Sequence, residues 1–176
     1  MNKKNINHGF TLVELLVVMS ILGVLVTLIA GGFRSSQARG RDAERKSDLK
    51  NIANAMELFY SDYGMYPSAS AGAIVACPYI SGGTSSSCAW GVGSFTDNRT
   101  VYFKTMPKDG STGANYYYRI VDPPTNQKFQ IFAYLENTKD PDCINSNCIA
   151  PGVTYSCGVG KTCNFAVTSP NTNATE

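Results

Sequence analysis

Residues 9–33 read GFTLVELLVVMSILGVLVTLIAGGF, from Gly9 to Phe33, and this stretch decides the architecture. From Phe10 onward it is apolar apart from a few Ser and Thr residues and one charge, Glu14. As a helix rising about 1.5 Å per residue it spans ~36 Å, enough to cross a bilayer. A cleaved secretory signal has a shorter apolar core followed by a small-residue cleavage site, so this run is expected to stay in the membrane. The residues ahead of it, MNKKNINHG, are short, polar and basic. Glu14 is the anomaly. A carboxylate near the start of a bilayer-spanning helix costs about 2.5–3.5 kcal/mol on insertion scales. Either it lies close enough to the interface to stay hydrated or protonated, or it requires a cation supplied from elsewhere.

Downstream, the helical pattern continues to about Tyr63. Leu49, Ile52, Met56, Phe59 and Tyr63 recur at 3-4-3-4 spacing, one apolar stripe expected to pack on a globular domain. The opposite face carries Asp42, Arg45, Asp48, Lys50, Asn51 and Glu57. Gly64 and Pro67 end the helix, whereas Gly23, Gly31, Gly32 and Gly40 only weaken it. One nearly continuous helix of ~80 Å follows, greasy in its first half and amphipathic in its second. Residues 65–100 read as loop. Residues 115–121 and 128–135 read as a β-hairpin around Pro123-Pro124-Thr125-Asn126, with further short strands near Tyr102 and at Asn164–Val167. Residues 136–163 offer little to a core, and the tail after Thr168 is expected to be loose.

Composition removes most enzyme chemistry. His8 is the single histidine and sits in the opening stretch. Without that stretch the chain has no imidazole for general-base catalysis or for a histidine-containing zinc site. No catalytic constellation replaces it, so the chain is expected not to be an enzyme. Setting aside Lys3 and Lys4, basic and acidic side chains balance at 13 each, which gives no global pull toward nucleic acid or anionic lipid. The six cysteines, Cys77, Cys88, Cys143, Cys148, Cys157 and Cys163, all follow the apolar run. An even count beyond an export signal indicates a disulfide framework, although four residues between Cys143 and Cys148 also lies within zinc-ligand spacing. Fifteen pairings are open in principle. Ease of loop closure favours Cys77–Cys88, Cys143–Cys148 and Cys157–Cys163, against a bridge tying the last strand to an earlier one. Asp140 and Asp142 offer oxygen ligands for calcium, and are more simply turn acids ahead of Cys143.

Gly9-Phe10-Thr11-Leu12-Val13-Glu14-Leu15-Leu16, placed after a basic leader and before a greasy helix, resembles the class III signal of type IV pilins and type II secretion pseudopilins. The resemblance implies cleavage by a prepilin peptidase between Gly9 and Phe10, and methylation of the new amine on Phe10. It also implies that Glu14 pairs with the amine of a neighbouring subunit, which supplies the missing cation and sets register in the filament. Residues 41–50 and 54–67 are similar to the helix end of the G-type pseudopilin branch. Met106-Pro107-Lys108-Asp109 sits where that branch has a Leu-Pro-x-Asp-Pro turn, without the second proline. G-type members usually lack three disulfides and bind calcium near the C-terminus.

The expected fold is therefore α+β, a pilin fold in which a long N-terminal helix, transmembrane in its first half, packs on a small antiparallel sheet. Its parts are a leader at 1–9, a membrane and filament-core helix at 10–33, and an amphipathic helix at 34–64. A globular, disulfide-pinned region at 65–168 and a tail at 169–176 complete it. Expected partners are other copies in a helical filament, the prepilin peptidase, an assembly ATPase, an inner-membrane platform protein and, before assembly, lipid. The expected location is the bacterial inner membrane, single-pass with an extracytoplasmic domain, and then a surface pilus or a periplasmic pseudopilus. Arg34, Arg39, Arg41, Arg45, Lys46 and Lys50 follow the apolar run and by the positive-inside count argue the opposite orientation. The cysteines and the motif outweigh them. The same basic cluster could meet DNA phosphates, but reads more simply as a solvated face or a partner for acids of the next subunit. Asn98-Arg99-Thr100 and Asn173-Ala174-Thr175 match glycosylation acceptors, a pattern common by chance.

Overall fold

The computed structural model describes residues 10–146, 148 and 152–176, apart from the side chains at 28–32, 34 and 146. The expected leader at 1–9, Gly9 included, lies outside the described residues. The chain divides into two units, one ending at Ala38 and one running Arg39–Glu176.

Helix α1 is Leu12–Tyr63. In the first unit its large apolar side chains face solvent in every direction, from 47% exposed at Val17 to 80% at Leu12. Among the described residues no helix is long and apolar enough to cross a membrane. The expected span at 10–33 runs into the side chains at 28–32 that lie outside that set.

In the second unit the predicted stripe is the buried face of α1. Leu49, Ile52, Met56 and Phe59 are fully buried and Tyr63 partly so. Each such side chain contributes about 1.5–3 kcal/mol when removed from water. The helix stops where Gly64 adopts φ +68° and its N–H closes on the Tyr60 carbonyl at 2.7 Å. That left-handed cap costs glycine little and a branched residue more.

Strands β5 (Tyr117–Ile120), β6 (Phe129–Ala133) and β7 (Phe165–Thr168) form an antiparallel sheet in the order β5-β6-β7. Tyr118 lies opposite Ile131, and Ile131 opposite Val167. All five residues of β6 are buried because the strand is covered on both faces. Phe129 and Ile131 join the cluster built on α1, while Phe132 packs with Ile144, Val153, Cys157 and Cys163. The 136–163 segment thus has a small core of its own, contrary to the sequence expectation. The β5–β6 turn is organised by Asp122, whose carboxylate accepts the backbone N–H of Gln127 and Lys128 and the hydroxyl of Thr125.

Residues 65–100, expected to be loop, hold two short pairings. One joins β1 (Ala69–Ser70) to β2 (Ala73–Ile74), and β3 (Phe95–Thr96) pairs with β4 (Val101–Phe103). The tail, expected to be loose, lies against the sheet. Ser169 N–H donates to the Phe129 carbonyl at 3.1 Å, and Asn171 Nδ2 donates to the Gln127 carbonyl at 3.1 Å. Gln130 Nε2 bonds the Asn173 carbonyl, and Lys128 pairs with Glu176.

Candidate assembly site

The residues expected to direct processing and assembly open α1. Phe10 precedes the helix and is 84% exposed. Thr11 and Glu14 close a reciprocal cap. Glu14 N–H donates to Thr11 Oγ1 at 3.2 Å, while Thr11 N–H and its hydroxyl donate to Glu14 Oε2 at 2.9 and 2.8 Å. This is the capping box of a Ser/Thr-x-x-Glu start, and it satisfies backbone donors that would otherwise be orphaned. Glu14 has a local role that the sequence reading missed, although Thr-x-x-Glu before an apolar run is a recognisable signal. Among the described residues no cation pairs with Glu14. From Leu12 to Val26 the side chains around it form an apolar surface with no polar face. A helix hydrophobic all round is covered by lipid or by other helices in its working state.

The second unit is fastened to its segment of α1 by charge. Arg45 is 1% exposed, and all three of its guanidinium nitrogens donate hydrogen bonds. Nε and Nη2 clasp the Asp109 carboxylate at 2.7 and 3.0 Å. Nη1 reaches Asp42 Oδ1 at 2.6 Å, and Nη2 also reaches Glu136 Oε1 at 2.7 Å and Ser111 Oγ at 2.9 Å. Arg41 grips both oxygens of the same Glu136 carboxylate, with Nε on Oε1 at 2.9 Å and Nη2 on Oε2. Asp42 in turn accepts the backbone N–H of Glu136 and Asn137 at 2.9 and 2.8 Å. Asp42 and Arg45, assigned from the sequence to the polar outer face, are buried instead. A buried charge is tolerable only when so paired. The Asp109, Glu136 and Asp42 acceptors outweigh the burial that by itself would lower the Arg45 pKa, and hold it raised. The Arg41 hydrogen bond, with help from Arg45, holds Glu136 down to about 2 against burial.

Asp140 and Asp142, named as calcium candidates, converge on the Lys46 ammonium at 2.5 and 2.7 Å. Among the described residues no group of three or more acidic, His or Cys side chains is arranged to hold a metal ion. Arg41, Arg45 and Lys46, half of the basic cluster, are thus in ion pairs with carboxylates of their own chain. The cysteines pair as Cys77–Cys88, Cys143–Cys148 and Cys157–Cys163.

Comparison with known proteins accords with this arrangement. The family described as "Prokaryotic N-terminal methylation motif" matches residues 4–30. Type II secretion system core protein G of Pseudomonas aeruginosa is 32% identical over 134 residues, which cover 75% of this chain and 85% of that protein. The protein of the same name from Pectobacterium carotovorum is 28% identical over 72% of this chain and 74% of its own length. Type IV major pilin protein PilA of Myxococcus xanthus is 38% identical over 60 residues, which cover 34% of this chain. The match spans only about a quarter of the Myxococcus protein's length, 27%. No solved structure matches the chain. These relatives are named as pilins and secretion core proteins, not as enzymes. The chain belongs to the family of type IV pilins and type II secretion pseudopilins.

Proposed function

We propose that this chain is the structural subunit of a type IV pilus-like filament, polymerised through its N-terminal helix. The observation that carries the proposal is the apolar surface of residues 12–26, bare on every side of α1. Before assembly that surface rests in the inner membrane as a single-pass anchor, with the Arg39–Glu176 unit on the extracytoplasmic side. In the filament it packs against the same surface of other copies. A prepilin peptidase cuts between Gly9 and Phe10 and methylates the Phe10 amine. The Glu14 carboxylate then exchanges its Thr11 cap for the amine of a neighbour, which fixes register. An assembly ATPase and a platform membrane protein drive extrusion.

Two features favour a surface pilus. Three disulfides staple loops, and the Lys46 ammonium pairs with both Asp140 and Asp142, the residues that offered oxygen ligands for calcium. A periplasmic pseudopilus is the second reading, favoured by similarity to core protein G along most of that protein's length. Mass analysis of the protein from its native membrane tests the processing step. A chain starting at N-methyl-Phe10 is expected, and one still starting at Met1 in cells with active peptidase would sink the filament reading. Electron microscopy of a deletion strain separates the two filaments. Loss of surface fibres marks a pilus, and loss of a secreted enzyme with fibres intact marks a pseudopilus.

A further inference from the structure

The carboxylates of this chain are bonded almost without exception by the chain itself. Of its 13 acidic side chains, Glu44 alone among the described residues accepts no hydrogen bond. Arg39 and Lys50 are exposed and likewise have no hydrogen bond or ion pair among the described residues. All three lie on the part of α1 that belongs to the second unit.

The charges are sorted on that helix. At 3.6 residues per turn, Glu44, Asp48 and Asp62 fall within about 40° of one another, and Arg39, Lys46 and Lys50 do the same ~150° away across the solvent side. Ala43, Ser47, Asn51, Asn54, Leu58 and Ser61 form an exposed, uncharged ridge between the two flanks. On the acidic flank the Tyr116 hydroxyl donates to Asp48 at 2.6 Å and the Tyr102 hydroxyl to Asp62 at 2.8 Å. Neither bond brings a cation. Arg41, one turn from Glu44, is spent on Glu136. Burial raises the Asp48 pKa, the Tyr116 bond opposes it, and the charges of Glu44 and Asp109 raise it further. Like charges four residues apart on a helix repel, so Glu44 and Asp48 are an uncompensated pair. On the other flank Asp140 and Asp142 hold Lys46 and leave Arg39 and Lys50 uncompensated. Glu57 is the one α1 acid on that side, and it takes the Tyr66 hydroxyl at 2.9 Å.

Opposed flanks of one helix cannot neutralise each other within one chain. A second copy laid alongside in parallel brings its basic flank to the acidic flank of the first, and its own acidic flank stays open for a third. A two-fold pairing of identical flanks would set like charges together. The surface therefore favours a head-to-tail contact, the geometry of rings and filaments. An anionic membrane or a nucleic acid would suit Arg39 and Lys50 but be repelled by Glu44 and Asp48, and would leave that flank unmatched. We propose that the 39–62 segment of α1 docks a second copy of this chain, with Glu44 and Asp48 of one copy facing Arg39 and Lys50 of the next. The inference rests on the filament reading and deepens it. Apolar contact through residues 12–26 is non-directional, and the charged flanks supply the direction in which copies follow one another.

The test expresses the full chain in its native cells and measures the polymer recovered from sheared and lysed cells, with electron microscopy to identify fibres. Two variants change one flank each. One is Arg39→Glu with Lys50→Glu, and the other is Glu44→Lys with Asp48→Asn, which keeps an acceptor for the Tyr116 hydroxyl. A third combines all four substitutions. Each single-flank variant is expected to lose about tenfold or more of its polymer, and the combination to recover most of it. Arg39→Gln with Lys50→Gln removes no bond of the chain and should lose polymer several-fold. It decides the matter where a reversal lowers the melting temperature of the detergent-solubilised protein. The proposal is overturned if the flank variants polymerise like the parent, or if the combination does no better than they do. Loss confined to the basic-flank variants and unrepaired in the combination would assign Arg39 and Lys50 to an anionic lipid or nucleic acid, and also overturns it. A parent that forms no polymer overturns the filament reading and this inference with it. A parent that polymerises beside unaffected variants overturns this inference alone.

Discussion

Replacing Arg45 with methionine tests how the globular unit is held to its helix. The substitution keeps a long unbranched side chain in the buried slot and removes only the charge and its five hydrogen bonds. Removing one partner of a buried ion pair typically costs 3–5 kcal/mol, because the remaining charge is stranded. Here the stranded carboxylates keep other donors. Asp42 retains the N–H groups of Glu136 and Asn137, Asp109 retains the N–H and hydroxyl of Ser111, and Glu136 retains Arg41. The loss should therefore fall at the lower end, about 3 kcal/mol, a large part of a domain's total stability. Urea unfolding of the detergent-solubilised protein, followed by Trp90 fluorescence, measures it. Adding Asp109→Leu to Arg45→Met should recover part of the loss, since a wholly apolar replacement is cheaper than a half-broken pair. A loss below about 1 kcal/mol, within the range of an exposed salt bridge, would refute the claim that these charges are buried and essential.

Further expectations follow from the same contacts. Glu136 is lowered from 4.5 to about 2, first by its Arg41 hydrogen bond and then by Arg45, against burial. Asp109, which burial alone would raise, is also lowered because the Arg45 and Ser111 donors prevail. Groups depressed in the folded state stabilise it above their unfolded values, so melting temperature should hold at neutral pH and drop as pH falls from 4.5 toward about 2. A melting curve flat across that window would contradict the network. Gly158 has φ +130°, and a Cβ there would collide with the Gly113 carbonyl oxygen. Gly158→Ala should cost more than about 2 kcal/mol in chemical denaturation, with Gly160→Ala, in open space but also at positive φ, costing less. Because the Lys46 ammonium fills the gap between Asp140 and Asp142, neither millimolar calcium nor EDTA should move the melting temperature of the parent. A calcium-dependent rise would show that a site exists despite the lysine.

The apolar framework was legible in the sequence because periodicity is a local signal. Leu49, Ile52, Met56 and Phe59 announce the buried face of α1 by their spacing, and the aromatic and β-branched runs on either side of Pro123-Pro124-Thr125-Asn126 announce the hairpin. Arg45 was not legible. On a helical wheel it falls among charged residues, and the partners that bury it lie 64 and 91 positions away. No local pattern carries that information. The Thr11–Glu14 cap was visible in principle but was masked by the expectation that a carboxylate in an apolar run requires a distant cation. The tail was misjudged because polar composition suggests disorder, whereas its Ser and Asn groups bond the backbone of β6 and its turn.

The three disulfides are all local, joining cysteines 11, 5 and 6 positions apart. None crosses from α1 to the sheet. In a filament of the kind proposed, tension entering the Arg39–Glu176 unit through its helix would meet no covalent cross-tie. It would pass instead through the Arg45 clasp and the Leu49–Phe59 stripe, and these would set the force at which that unit peels from its helix. The bridges guard loop shape against wear and leave that breaking point unchanged. Reducing agent should therefore soften the surface of a fibre long before it weakens the fibre's grip.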